Sequence, residues 1–119
     1  MPRIDVTYTP NLDGLLDVGR LVNALHEAAQ GLGIFPPFGL RTMATRAERS
    51  RIGDGHDRAY VQVDVRTAPG RAPEVKQQVI ETLYAVIEEN LGAVPHPHLR
   101  YQLELTEFDA ALTRAGGAV

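Results

Sequence analysis

The chain has no cysteine. That absence excludes disulfides, thiolate catalysis, iron–sulfur clusters and zinc–thiolate sites. No apolar run approaches the roughly 18 residues a membrane-spanning helix needs. Positive charge is also scarce, with a net charge of -3 at pH 7. The basic residues do not gather into a patch interleaved with aromatics, so nothing favours a nucleic-acid partner. Arg46, Arg49 and Arg51 come closest, and they read as a solvated loop. Gly53-Asp54-Gly55 and Pro69-Gly70-Arg71 lack the Gly-Lys-Ser/Thr ending of a phosphate loop. Met1-Pro2-Arg3-Ile4-Asp5 lacks the basic and apolar regions of a signal peptide, so a cytoplasmic protein is expected. His96 and His98 lie two apart on a connector with no third ligand near, which reads as solvated histidines and no metal site. His26 and His56 read as ordinary surface residues.

What is present is a globular pattern. A length of 119 residues suits one domain. Ile4, Val6 and Tyr8 alternate with Arg3, Asp5 and Thr7, the period of a half-buried strand. That strand starts almost at the first residue, where chains are normally frayed. After the turn cluster at Pro10–Gly14, Leu15, Val18, Leu21, Leu25, Ala28, Ala29 and Leu32 recur at helical spacing, with Asp13 as the candidate cap and Gly31 and Gly33 as the stop. Phe38 to Thr45 reads as a second strand. Val61, Val63 and Val65 against Gln62, Asp64 and Arg66 make the clearest strand of all. Pro73 and Glu74 open a second helix, with Val75, Val79, Leu83, Val86, Ile87 and Leu91 as its stripe and Gly92 as its end. Leu99, Tyr101, Leu103 and Leu105 alternate as a fourth strand, and the tail 116–119 reads as loose.

The order is strand, helix, strand, twice over. A helical crossover makes the two strands of each unit parallel. The expected fold is therefore α+β: a tandem β-α-β repeat, about 1–48 and 58–108, forming one domain over 1–119. Its four-stranded sheet carries both helices on one face. The other face is left bare, with Ile4, Val6, Val61 and Val63 as candidates to make it apolar, and another subunit would cover such a face.

The residues also resemble a known family. Tyr60-Val61-Gln62-Val63, Gly70-Arg71-Ala72-Pro73-Glu74 and Leu99-Arg100-Tyr101 look like the short 4-oxalocrotonate tautomerase subunit. Met1-Pro2 running straight into a strand, Gly33-Ile34-Phe35-Pro36 followed by Gly39-Leu40-Arg41, and Gly70-Arg71 before an acidic helix start resemble the 5-carboxymethyl-2-hydroxymuconate isomerase family of the tautomerase superfamily. The likeness covers about 1–108 and lapses around 44–58. It implies a homotrimer, no metal and no cofactor, and a small carboxylate substrate. It implies that Pro2, freed of Met1, is the catalytic base. It implies that Arg41 binds a carboxylate or polarises a keto oxygen, that Arg71 binds a carboxylate, and that Arg100 is the second-half counterpart of Arg41. Phe35 and Phe38 would keep the site apolar.

The chemistry suits such a set. Moving a proton between oxygen and carbon of an enol needs a base with a pKa near working pH. An α-amino group starts near ~8, and a proline amine is more basic still. Burial and neighbouring arginines disfavour its charged form. The same arginines bind a substrate carboxylate in a fixed plane. The expected activity is keto–enol isomerisation of a carboxylated dienol. The alternatives are a hydratase, decarboxylase or dehalogenase that keeps the proline cationic, or a non-catalytic trimer that binds a small anion.

Overall fold

The computed structural model describes residues 1–55 and 57–118, so His56 and Val119 lie outside it. Strand β1 (Arg3–Tyr8) leads to helix α1 (Val18–Gly31) and strand β2 (Arg41–Arg46). Strand β3 (Ala59–Thr67), helix α2 (Pro73–Leu91) and strand β4 (Leu99–Glu107) repeat the pattern. The sheet order is β2-β1-β3-β4. β1 and β2 run parallel, as do β3 and β4, while β1 and β3 pair antiparallel at the centre.

The core lies between the sheet and the helices. β1 and β3 supply Ile4, Val6, Val61, Val63 and Val65; α1 supplies Leu21 and Leu25; α2 supplies Val79, Leu83 and Ile87. All of these are at most 1% exposed, and burying each such side chain stabilises the fold by about 1.5–3 kcal/mol before entropy is counted.

This packing corrects the expectation for the second sheet face. Ile4, Val6, Val61 and Val63 point to the helices, not away from them. The alternate positions form polar rows in register across the sheet. Arg41, Arg3 and Arg66 make one row, and Asp5, Asp64 and Glu104 the next. Thr7, Gln62 and Gln102 follow. The period-2 pattern gave the alternation correctly. It could not say which parity faced the helices, and the valines of β3 are apolar because two helices cover them.

Other differences are local. The cap of α1 is Asp17, whose carboxylate accepts the Arg20 N–H at 3.0 Å. Asp13 instead pairs with Arg46, at 2.7 Å. The reason is a 3₁₀ turn over Pro10–Leu12 followed by Gly14 at φ 76°, which delays the helix while Leu12 and Leu16 enter the core. Arg46 thereby leaves the solvated loop to which it was assigned. It lowers the Asp13 carboxyl below the usual range, chiefly through the hydrogen bond. β2 starts at Arg41 because a turn closed by Gly39 N–H and Pro36 O, 3.1 Å apart, holds Phe38 out of the strand.

Two histidines are less free than their surroundings implied. The His26 ring lies 2.9 Å from Thr42 Oγ1 and ties α1 to β2. The His96 side chain is only 7% exposed, with Asp57 3.5 Å away and the His98 N–H donating to its Nδ1. Among the described residues, no three His, Cys, Asp or Glu side chains converge to hold a metal. None of the described helices is long and apolar enough to cross a membrane.

Candidate active site

Pro2 is buried at the end of the sheet where β1 begins. Its carbonyl accepts the Arg41 N–H at 3.3 Å, which fixes it against β2. Gly39 packs on its ring: a Cβ added there would lie 3.6 Å from Pro2 Cδ and 3.5 Å from Met1 Cγ.

Beside Pro2 the register sets Arg41 and Arg66 directly opposite Arg3, on its two sides. Like charges facing each other across strands are destabilising. Arg3 is partly compensated, since its Nε donates to Asp5 Oδ2 at 2.8 Å. Among the described residues, Arg41 and Arg66 have no carboxylate in ion-pair range. A cationic row without matching anions suits an anionic ligand.

That row lines a cavity of about 370 Å³, together with Met1, Phe108 and Arg114. Met1 also lines an adjoining, more apolar cavity of about 320 Å³, with Pro36, Phe38, Gly39 and Ala115–Ala118. The tail read as loose thus lies across the end of the sheet. It is led there by the Phe108 N–H donating to Thr67 O at 3.0 Å and by a 3₁₀ turn at Ala110–Leu112 capped by Asp109.

The structure brings some of the expected residues together and keeps others apart. Arg41 and Pro2 adjoin. Phe38 is 79% exposed, on the wall of the apolar cavity. Arg71 stands on the loop after β3, at the Pro2 end of the sheet, but is held elsewhere. Its Nη2 donates to Ile34 O at 3.1 Å and its Nη1 to Ala68 O at 3.3 Å. Its guanidinium lies 5.2 Å from the centre of the Phe35 ring, a cation–π contact that fixes both side chains. Arg100 is at the far end. It pairs in register with Tyr60 and lines a groove with Tyr84, Leu99 and Tyr101. Tyr60 and Arg66 are six positions apart on β3, about 20 Å of strand. Within one chain Arg100 does not meet Pro2. In its groove, burial first and then Tyr84 and Glu88 raise the Tyr101 hydroxyl above its usual range.

Arg3 and Arg114 were missed in the sequence. Arg3 had a visible signal, its place on the solvent-side parity of β1. Arg114 had none, because no pattern showed where the tail would run.

Solved structures share this architecture across the tautomerase superfamily. A fused 4-oxalocrotonate tautomerase described as a symmetric trimer superposes with a TM-score of 0.66 at 12% identity, covering 96% of this chain and 93% of that one. That likeness speaks for the fold alone. The sequence profile of the 5-carboxymethyl-2-hydroxymuconate isomerase family matches residues 2–118, and the chain belongs to that family. The 5-carboxymethyl-2-hydroxymuconate Delta-isomerase of Escherichia coli is 28% identical over 100 residues, 83% of this chain and 79% of that protein. The crystal structure of a 5-carboxymethyl-2-hydroxymuconate isomerase from Deinococcus radiodurans R1 superposes with a TM-score of 0.89 at 26% identity, covering 98% and 90% of the two chains. The chain is therefore an enzyme of the isomerase class, of the tautomerase kind.

Proposed function

We propose that this enzyme converts a carboxylated dienol, of the 5-carboxymethyl-2-hydroxymuconate kind, to its keto tautomer, with the Pro2 amine as general base. The observation that carries this reading is the buried Pro2 between Met1 and Arg3, two residues that line a cavity together with Arg41, Arg66 and Arg114. While Met1 is attached, the Pro2 nitrogen is an amide with no basic lone pair. Removal of Met1 converts it to a secondary amine at the same spot, where Met1 now borders both cavities. The ring restrains the amine to one direction. The amine takes the enol proton and returns it at carbon. Arg41 holds a carboxylate or the developing oxyanion, where a fixed positive group lowers the barrier. Arg71, braced by Phe35, guards the same end of the sheet and binds a second carboxylate. Phe38 walls the apolar side. No cofactor or metal enters this scheme. Methionine removal from a nascent chain is a cytoplasmic step, which supports a cytoplasmic enzyme.

The same reading makes the chain one domain of two β-α-β units, about 1–48 and 58–108, working as a homotrimer. Two observations support assembly. The exposed surface is 7392 Å², against about 6,300 Å² for a compact monomer of 13.0 kDa. Strands β2 and β4 are both open sheet edges, which stable proteins tend to pair or cover. A neighbouring copy is also the means by which Arg100 can approach a Pro2.

The test is ketonisation of 2-hydroxymuconate, followed in the ultraviolet, with the intact mass of each sample. Pro2→Ala leaves a primary amine without the ring that aims it, and is expected to lower kcat by about 10²-fold, the cost of misplacing a reacting group. Unchanged turnover in the variant overturns the role of Pro2.

A further inference from the structure

The three arginines in register at the Pro2 end are not treated alike. The middle one, Arg3, follows Pro2 directly and is bound within its own strand, its Nε donating to Asp5 Oδ2 at 2.8 Å. Among the described residues it alone in the row has a carboxylate in ion-pair range. Asp5 lies two residues further along β1, so the bond draws the guanidinium along the strand and away from the chain terminus. Asp64 faces Asp5 across the strands but is engaged differently, accepting from Gln62 Nε2 at 2.9 Å. The cation adjoining Pro2 in the chain is thus compensated, while Arg41 and Arg66 on the flanking strands are left to a ligand.

We propose that Asp5 is a positioning residue of this site: it holds Arg3 along β1 and so keeps the adjoining cation from driving the proton off Pro2. The inference rests on the reading of Pro2 as the base. A base must take up its proton near working pH, and a neighbouring cation disfavours the charged form of an amine. The other charges at this end are mostly positive. Arg41, Arg66 and Arg114 border one cavity with Arg3, and Arg71 stands on the loop after β3. Lys76 and Glu107 pair with each other at 3.4 Å. An unpaired Arg3 added to this set would leave the amine too weak a base. Arg3 and Asp5 are partly exposed, at 41% and 35%, so solvent screens the effect and keeps it modest.

The experiment is an NMR titration of the Pro2 amine, without substrate, in the chain lacking Met1 and carrying isotope-labelled proline. The other prolines are amides and do not titrate. Asp5→Asn is expected to lower the midpoint by about half a pH unit, the size of a screened interaction between nearby charges. Asp5→Glu, which keeps a carboxylate within reach of Arg3, should restore most of it. Asp64→Asn removes the same charge from the same row without releasing Arg3, and should move the midpoint less. With Arg3→Ala in place, Asp5→Asn should shift it no more than Asp64→Asn does. No shift in Asp5→Asn, or a shift that Asp64→Asn equals in the otherwise wild-type chain, overturns the assignment. Turnover by Pro2→Ala judges the catalytic reading separately, because the titration involves no substrate.

Discussion

The two ends of the sheet are built alike and equipped differently. At one end β2 begins with Arg41 opposite Arg3; at the other, β4 sets Arg100 opposite Tyr60. The residue before Arg3 is Pro2, next to the chain terminus. The residue before Tyr60 is Ala59, in mid-chain, whose N–H donates to His98 O at 3.2 Å. Repetition of β-α-β thus yields two equivalent strand starts, of which one can expose an amine. Arg41 also gains Arg66 as a second neighbour of Arg3, because β1 and β3 pair antiparallel. Arg100 has Tyr84 and Tyr101 around it instead. The difference teaches that the fold supplies the frame twice, while the terminus and the strand order supply the cationic cavity once.

The comparison can be broken most severely at Arg41. Arg41→Ala is expected to lower kcat/KM for a carboxylated dienol by about 10- to 100-fold, the range for a lost charged hydrogen bond. Steady-state kinetics beside Arg49→Ala, a change in the exposed loop, checks this; equal effects would remove Arg41 from the site. Ala59→Pro sharpens the contrast from the other side. It places a proline at the second strand start, where its nitrogen is an amide. It should add no activity and should cost about 1–3 kcal/mol of stability through the lost N–H bond to His98. Urea denaturation measures that cost. The smallest effect is at Asp13, in the first unit only. Its pKa is depressed in the fold, so its contribution is present above the unfolded value, about 3.9, and fades as pH falls through the folded value. Asp13→Asn should therefore lower the melting temperature slightly at neutral pH, with the difference vanishing in acid.

Much of the frame is legible in the residues. Val61, Val63 and Val65 announce β3, and Pro73 and Gly92 bracket α2. The parallel pairing within each unit follows from the helical crossover between its strands. What local pattern does not carry is the order of strands. Arg3 and Arg66 are 63 positions apart, and only the central antiparallel pairing puts them side by side. The same limit explains the sheet face: alternation places Ile4 and Val6 together but does not say which side the helices take. Asp13 and Asp17 are both chemically able to cap a helix, and the decision belongs to Gly14 and the burial of Leu12 and Leu16. Pro2 and Arg41 are proposed through resemblance to a family, and their adjacency follows from the parallel pairing of β1 with β2. Arg114 depends on a tail whose course is set by the tertiary bond from Phe108 to Thr67 and by the turn that Asp109 caps.

The central claim is that the terminal amine of Pro2 is the base, and it is tested most directly by keeping every side chain and changing only that amine. Two samples of the wild-type sequence would be compared, one with Met1 removed and one with Met1 retained, each verified by intact mass. Ketonisation of 2-hydroxymuconate by the first, with at least a hundredfold slower turnover by the second, is the predicted result. Equal turnover by both would contradict the account, because an amide nitrogen cannot take the proton.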